Sequence, residues 1–258
     1  MTPVPPLVSV ITASFNAADF IEQTISSVLS QSFQNLEYII IDGGSRDGTV
    51  EIIRKYESSL VYWHSKPDRG LAHAFNLGLS QAHGAWILYL NADDYFFDRQ
   101  AVESMVPHLL ENRDADVVFG QVALTPRNDV NSVSFPAIYG GPWRWKEFRL
   151  ICTIPHQAAF TRREFFDRVG RFDESWRIAV DYEHYLRAGP TLAAWFIPQK
   201  VSVMRAGGLS LSNLLPSLKE WKKAQIAHKS ANPFLVWGNY IARYFWCAVK
   251  GRFSRRRR

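Results

Sequence analysis

From residue 7 to residue 90 the apolar positions switch repeatedly between two periods. Leu7 to Ala13 is a short β-rich run with apolar residues on both faces, and after Ser14-Phe15-Asn16 the positions Ile21, Ile25, Val28 and Leu29 recur at helical spacing. Leu36 to Ile41 is a second buried strand, after which Val50, Ile52, Ile53 and Tyr56 restore the helical period. Leu60 to His64 gives a third strand, Leu71 to Gln81 a helix, and Ala85 to Leu90 a fourth strand that stops at Asn91-Ala92-Asp93-Asp94. Strands alternating with helices predict an α/β domain whose parallel sheet is covered on both faces. Ligands of such sheets collect at the carboxyl ends of the strands, and here those ends carry the Gly, Asp and Asn clusters.

Beyond about Asp116 the pattern changes to irregular strands and Trp-rich loops around Trp143 and Trp145. A helix near Arg162 to Asp167, another near Asp181 to Arg187 and a strand from Ala194 to Arg205 complete this half, which is expected to finish the sheet and hold the variable substrate. The boundary near Ser210 to Pro216 divides a catalytic domain, residues 1–210 with halves 1–115 and 116–210, from a basic amphipathic helical tail, residues 211–258.

Charge sharpens that division. From Lys219 onward eleven Lys/Arg stand against one acid, Glu220, so of a net charge of +6 the tail carries +10 and residues 1–218 carry −4. Phe234 to Val249 is almost wholly apolar and aromatic, too short to span a bilayer and interrupted by Asn239 and Arg243. On a helix Asn239, Arg243, Lys250 and Ser254 share one face while Trp237, Tyr240, Ile241, Tyr244, Phe245 and Trp246 cover much of the rest. Such a segment fits an anionic membrane interface, with the arginines held by headgroups; a helix docked on the body is the alternative. The acidic body argues against a specific nucleic-acid partner. The composition, 47% hydrophobic and 21% charged, is globular, and Cys152 and Cys247 make neither a disulfide framework nor a zinc site. Met1 to Pro6 lack a basic stretch followed by an apolar one, so the expected address is cytoplasmic, peripheral at the inner face of a membrane.

Two clusters carry chemistry. Asp42, followed by Gly43-Gly44, sits where a strand-end carboxylate can accept hydrogen bonds from a base imide or a ribose hydroxyl, while Asp47 suits a helix N-cap. Asp93 and Asp94 are adjacent carboxylates whose repulsion a cation or sugar hydroxyls would relieve, which points to Mg²⁺ or Mn²⁺ shared with substrate phosphates, or else to a helix cap. There is neither a P-loop nor a dinucleotide-binding glycine fingerprint.

Val8 to Asn16, Ile41 to Thr49, Lys66-Pro67-Asp68-Arg69-Gly70 and Leu90 to Asp94, in this order and spacing, resemble glycosyltransferase family 2, and the likeness runs from residue 7 to about 206. The resemblance implies a GT-A type, Rossmann-like α/β fold with a mixed central sheet and helices on both faces. It also implies inverting transfer of a sugar from a nucleotide-diphosphate donor, UDP first among the bases, to a glycan or lipid-linked hydroxyl acceptor of surface polysaccharide or glycolipid synthesis, with a divalent metal. Carried over by position, Asp42 is the nucleobase contact, Ser14 and Asn16 line the same pocket, and Asp68 sits against the donor. Asp93 lies near the donor ribose or sugar, Asp94 holds the metal, and Asp181 is the general base, with Glu183 second. Asn91 stands where some members have a third Asp. His156-Gln157 resembles a pattern of a polysaccharide-assembly subgroup, with packing as its other reading; Gly207-Gly208-Leu209-Ser210 is either a lid or a turn. Two rival functions are a nucleotidyltransferase making nucleotide sugars, which would want a glycine-rich first loop with a phosphate-binding Arg or Lys, and a non-catalytic nucleotide-sugar binding module, which would have lost the carboxylates.

Overall fold

The structure is a computed structural model that describes residues 5–125 and 138–255. Residues 1–4 and 126–137 and the terminal Arg256, Arg257 and Arg258 of the basic tip lie outside the described residues.

The strands are β1 (Val8–Ser14), β2 (Leu36–Asp42), β3 (Tyr62–Ser65), β4 (Trp86–Tyr89), β5 (Tyr95–Phe96), β6 (Val117–Thr125), β7 (Ile138–Tyr139), β8 (Ala159–Arg162) and β9 (Ala194–Arg205). They form one sheet in the order β3-β2-β1-β4-β8-β6-β9-β5, with β7 paired to β6. The helices are α1 (Ile21–Leu29), α2 (Thr49–Lys55), α3 (Leu71–Gln81), α4 (Ala101–Glu111), α5 (Trp145–Phe148), α6 (Arg163–Val169), α7 (Val180–Leu186), α8 (Leu209–Ser212), α9 (Leu214–Ala227) and α10 (Pro233–Arg255).

Strand alternation sorts the core into two layers. Ile11, Ile39, Ile41, Ile87, Tyr89, Val117 and Phe119 face a cluster built with α3, α6 and α7, while Val8, Val10, Tyr38, Ile40, Trp86, Leu88 and Val118 face one built with α1 and α4. Both faces are therefore covered, as the apolar strands require.

The sheet is mixed. β1 is parallel to β2 and β4, and β2 to β3; β8 is antiparallel to both β4 and β6, and β6 is parallel to β9. Two reversals restore direction, so β6 and β9 run the same way as the first four strands. Ser14, Asp42, Tyr89 and Arg205 thus end on one edge of the sheet. β8 runs the other way, which brings its beginning, and the short 3₁₀ turn His156–Ala158 before it, to that same edge.

The tail is docked. Gln225 of α9 donates to the Leu150 carbonyl (2.9 Å) and to the Tyr182 hydroxyl (3.0 Å), Asn239 of α10 donates to the same Leu150 carbonyl (2.8 Å), and Val236 is fully buried. Asn239 and Arg243 do share a face, but it turns inward, onto the body. Phe234, Trp237, Ile241 and Phe245 are exposed on the other side of the helix. The polar stripe expected to meet headgroups is, at Asn239 and Arg243, an inner stripe. Among the described residues no helix is long and apolar enough to cross a membrane.

Candidate active site

Asp42 closes β2 with a carboxylate that is fully buried. It accepts from the Ser14 hydroxyl (2.9 Å), the Ser45 hydroxyl (2.6 Å), the Ser65 hydroxyl (2.6 Å) and the backbone N–H groups of Gly44 (3.0 Å) and Ser45 (2.9 Å). Burial alone pushes its carboxyl up; the hydrogen bonds from Ser45, Ser65 and Ser14 outweigh this and hold it below the usual carboxylate range. Asp42 thereby ties the ends of β1 and β3 to the loop before α2. Asn16, at a left-handed φ of 48°, completes the loop: its N–H donates to the Ser45 hydroxyl (2.7 Å) and its side-chain carbonyl accepts from the Arg46 N–H (3.1 Å). Asp47 accepts from the Ala18 and Thr49 N–H groups (3.0 and 3.1 Å), bracing the first loop as well as the start of α2. Asp68 accepts from the Gly70 N–H (2.7 Å), and a Cβ on Gly43 would stand 2.8 Å from its other oxygen and 3.3 Å from the Phe15 ring, so glycine is what lets these loops meet.

The Asn91–Asp94 turn is fastened from beneath. The Thr24 hydroxyl of α1 lies 2.9 and 2.7 Å from the carbonyl oxygens of Ala92 and Asp94. Asp94 is buried, and its carboxylate accepts from Asn91 (3.0 Å), Gln157 (3.0 Å) and the Arg205 N–H (3.3 Å). Burial, and then repulsion from Asp93, push its carboxyl up to about 7. Asp93 is the more accessible of the pair. The Arg205 guanidinium holds the Asp93 carbonyl and Gln23 and lies over the rings of Phe20 (5.0 Å) and Tyr95 (4.9 Å).

Asp181, in the first turn of α7, is partly exposed and faces His156, whose Nδ1 is 3.4 Å from its Oδ2. The other ring nitrogen lies 3.0 Å from the Asn91 amide, which also serves Asp94. A continuous chain of polar contacts therefore runs from Asp94 through Asn91 and His156 to Asp181. Burial alone would lower the His156 pKa; the Asp181 carboxylate, then Asp94 and Asp93, reverse this and raise it. The loop before α7 is held from the tail: Glu220 of α9 accepts from the N–H groups of Arg177 (3.2 Å), Ile178 (2.8 Å) and Ala179 (2.8 Å).

Asn16, Asp93, Asp94, Asp181, His156 and Arg205 line one cavity of about 290 Å³ at the carboxyl edge. Asp42, Ser14 and Asp68 stand behind or beside it and shape its loops rather than its wall. Glu183 points away, buried against Arg187 (2.6 Å) and His228 (2.8 Å). His184 is buried among Phe165, Phe166 and Phe172 and bonds the Gly170 carbonyl (2.7 Å). Trp143 and Trp145 pack on Phe148 at 5.1 and 6.1 Å between ring centroids. Gly208 and Ser210 line the cavity beside Asp93.

Arg205 and Glu220 were not singled out by spacing. Arg205 ends a long strand on the edge where the other site residues end, a signal that becomes readable only once strand direction is known. Glu220 had one mark, its position as the single acid in a basic tail.

Among the described residues no three His, Cys, Asp or Glu groups converge on one point. The chain thus offers two adjacent carboxylates, one of them destabilised by burial and by its neighbour. That donor set fits Mg²⁺ or Mn²⁺ when substrate phosphates complete the shell.

The model of Glycosyl transferase family 2 matches residues 9–170. A PGL/p-HBAD biosynthesis glycosyltransferase of Mycobacterium bovis is 28% identical over 211 residues, covering 80% of this chain and 79% of that protein. A glycosyltransferase of Mycobacterium tuberculosis is 32% identical over 185 residues, covering 71% of this chain and 69% of its own. Among solved structures, S. aureus TarS 1-349 in complex with UDP-GlcNAc aligns with a TM-score of 0.65 at 17% identity, covering 92% of this chain and 72% of TarS. The Pyrobaculum calidifontis mannosyltransferase in complex with GDP-Man and Mn²⁺ aligns at 0.61 and 19% identity, covering 95% and 76%. At such identities these likenesses speak to the fold, which is the GT-A type. The matched motifs, the fold and the acidic cavity at its carboxyl edge agree: the chain is a glycosyltransferase and belongs to glycosyl transferase family 2.

Proposed function

We propose that the chain moves a sugar from a nucleoside-diphosphate donor to a hydroxyl acceptor by a single inverting displacement with Asp181 as general base. The observation that carries this reading is the shared cavity, with Asp93 and Asp94 in its wall together with Asp181. The nucleotide lies against the first loops, where Phe15 is 66% exposed beside Gly43 and offers a ring face to a base, and Ser14, Asn16, Asp42 and Asp68 set the shape of the pocket. TarS complexes with UDP-GlcNAc and UDP support a UDP-sugar as the first donor to test, and the GDP-Man complex of the mannosyltransferase makes GDP the second.

A sugar hydroxyl is a weak nucleophile at neutral pH, so Asp181 takes its proton as its oxygen bonds to the anomeric carbon from the face opposite the diphosphate. The bond from that carbon to the diphosphate oxygen breaks, and its electron pair leaves with the nucleotide. His156 holds the Asp181 carboxylate in place through Nδ1. Asp93 and Asp94 would hold a divalent cation, whose chemistry is to neutralise charge on the diphosphate. Arg205 fixes the backbone of Asp93. The relative named for PGL/p-HBAD biosynthesis supports an acceptor in glycolipid or surface-polysaccharide synthesis, and the exposed aromatic face of α10 suits an anionic membrane surface.

The test is a melting-temperature screen of the full chain against UDP, GDP, dTDP and CDP, with and without Mn²⁺. Metal-dependent stabilisation by one nucleoside diphosphate is expected; no shift with any of them would contradict the reading.

A further inference from the structure

Asp181 is the second residue of α7, so whatever fixes the entry of that helix fixes the place of Asp181. The helix has no capping side chain of its own, since its N-cap is Ala179. The three N–H groups that lead into it are taken by a carboxylate from elsewhere: Oε2 of Glu220 accepts from Ile178 and Ala179 (2.8 Å each) and Oε1 from Arg177 (3.2 Å). Ala179 is buried, so solvent has little access to its N–H when that carboxylate is removed. Glu220 lies on α9 and is the single acid from Lys219 to the end of the chain.

All three bonds go to one stretch of backbone, and none is needed to seat α9. Leu218 and Ala224 are buried, and Gln225 donates to the Leu150 carbonyl and the Tyr182 hydroxyl without help from Glu220. One turn past Glu220, the Lys223 ammonium lies 4.3 Å from the centre of the Trp176 ring, so α9 grips the same segment twice. The other end of the segment is tied to the Lys66–Gly70 loop by the pair of Arg69 with Glu174 (2.7 Å). Residues 174–179 are therefore strung between that loop and the tail, with Ile178 in the wall of both cavities beside Asp181. Oδ2 of Asp181 meets Nδ1 of His156 at 3.4 Å, a contact that a shift of about 1 Å at the start of α7 would break.

We propose that Glu220 is a positioning residue for Asp181: by holding the Arg177, Ile178 and Ala179 N–H groups it sets the start of α7 so that the Asp181 carboxylate faces His156 and the reacting hydroxyl. This rests on the reading of Asp181 as general base and adds the group that places it. It also assigns α9 to the catalytic unit, beyond the boundary expected near Ser210 to Pro216, and leaves α10 as the appendage.

The reaction followed is transfer to water: release of UDP from UDP-GlcNAc and of GDP from GDP-Man by the full chain with Mn²⁺. The water oxygen bonds to the anomeric carbon, Asp181 takes a water proton, and the nucleotide leaves with the electron pair of the broken bond. Glu220→Ala should lower kcat by about 10- to 100-fold, as a misplacement of about 1 Å does, with donor KM within about 2-fold. Glu220→Gln, which keeps one accepting oxygen for Ile178 and Ala179, should fall between. In an Asp181→Asn chain the further change Glu220→Ala should cost less than about 2-fold, because the group it places is gone. Lys222→Gln, on the side of α9 that faces Trp237 and Tyr240 of α10, should release at the unaltered rate. Amide hydrogen exchange supplies a readout without turnover: Glu220→Ala should speed exchange at residues 177–181 and leave α9 protected. Glu220→Ala at the full rate beside a slow Asp181→Asn removes this proposal alone, and Asp181→Asn at the full rate removes the base reading. A loss by Glu220→Ala as large in the Asp181→Asn chain as by itself, or an equal loss in Lys222→Gln, also overturns the proposal, since Glu220 then acts on the fold at large. Where neither donor is hydrolysed the exchange decides: faster exchange confined to residues 177–181 upholds the placement, and unchanged exchange there, or exposure along the whole of α9, overturns it.

Discussion

The two cavities that meet at Asp181 are built by opposite means. The smaller is shaped by hydrogen bonds: Asp42 collects five donors and Asp94 three, Thr24 pins the acidic turn, and Arg205 is clamped on every side. The larger is shaped by apolar side chains from α9, α10 and the segment before β8, with few polar groups and one arginine, Arg243, bonded to Asn239. A polar, pre-wired pocket suits a ligand whose charge and hydroxyls are the same in every turnover. An apolar channel suits a ligand held by its bulk. His156 and Asp181 belong to both walls, so the proposed base stands where the two designs touch.

The comparison breaks most visibly on the polar side. Asp94→Asn removes one of two adjacent carboxylates, and transfer should fall by about 100-fold or more, several kcal/mol of transition-state stabilisation. The Mn²⁺-dependent part of the nucleoside-diphosphate melting shift should vanish with it; a variant that keeps both contradicts the two-carboxylate site. His156→Ala acts at the junction. It leaves Asp181 without its ring partner and should cost about 10- to 100-fold in kcat, the worth of a hydrogen bond to a charged group. The acid limb of the pH profile should move while the donor KM stays nearly constant, and an unchanged profile would make His156 a packing residue. On the outer side of the apolar wall, changing Trp237, Ile241 and Phe245 together to Ser should lower partitioning onto anionic vesicles by about 10-fold or more while leaving nucleotide binding intact. Retained partitioning would show that the aromatic face does not meet the membrane.

The smallest effect on catalysis comes from His184, which lies away from both cavities. Burial, only partly offset by the bond to Gly170, lowers its pKa to about 3. The unfolded chain takes up a proton near pH 6.5 that the folded chain refuses, so stability is present above that value and falls as the pH drops toward 3. Between pH 7 and pH 5 this group should remove about 2 kcal/mol. His184→Gln, which keeps a donor for the Gly170 carbonyl, should flatten that slope in denaturant titrations; an unaltered slope would mean that other groups set the acid response.

Much of the polar side was legible in the sequence. The switches between two- and 3.6-residue periods located β1 to β4, the span Leu71–Gln81 is α3 and the span Ala194–Arg205 is β9. The acids at the strand ends marked the edge where the smaller cavity lies. Period carries no direction, however. The antiparallel course of β8 is what brings His156 and Gln157 opposite Asn91 and Asp94, and nothing in the spacing of Ala158, Phe160 and their neighbours encodes it. Glu220 reaches the Arg177–Ala179 loop across some forty residues, a contact set by the docking of α9 on α7. The α10 pattern fits a polar stripe facing either way, and only the partners of Asn239 and the burial of Val236 decide it.

Asp181 stands in the wall of both cavities, and changing it to Asn is the most direct test of the claim that they serve one displacement. Measured as acceptor-dependent release of nucleoside diphosphate, transfer by Asp181→Asn should fall by about 10²- to 10⁴-fold, the usual contribution of a general base, with the nucleotide melting shift unchanged. Turnover at the wild-type rate with that shift intact would contradict the account, because the proton would then leave by a route that neither cavity provides.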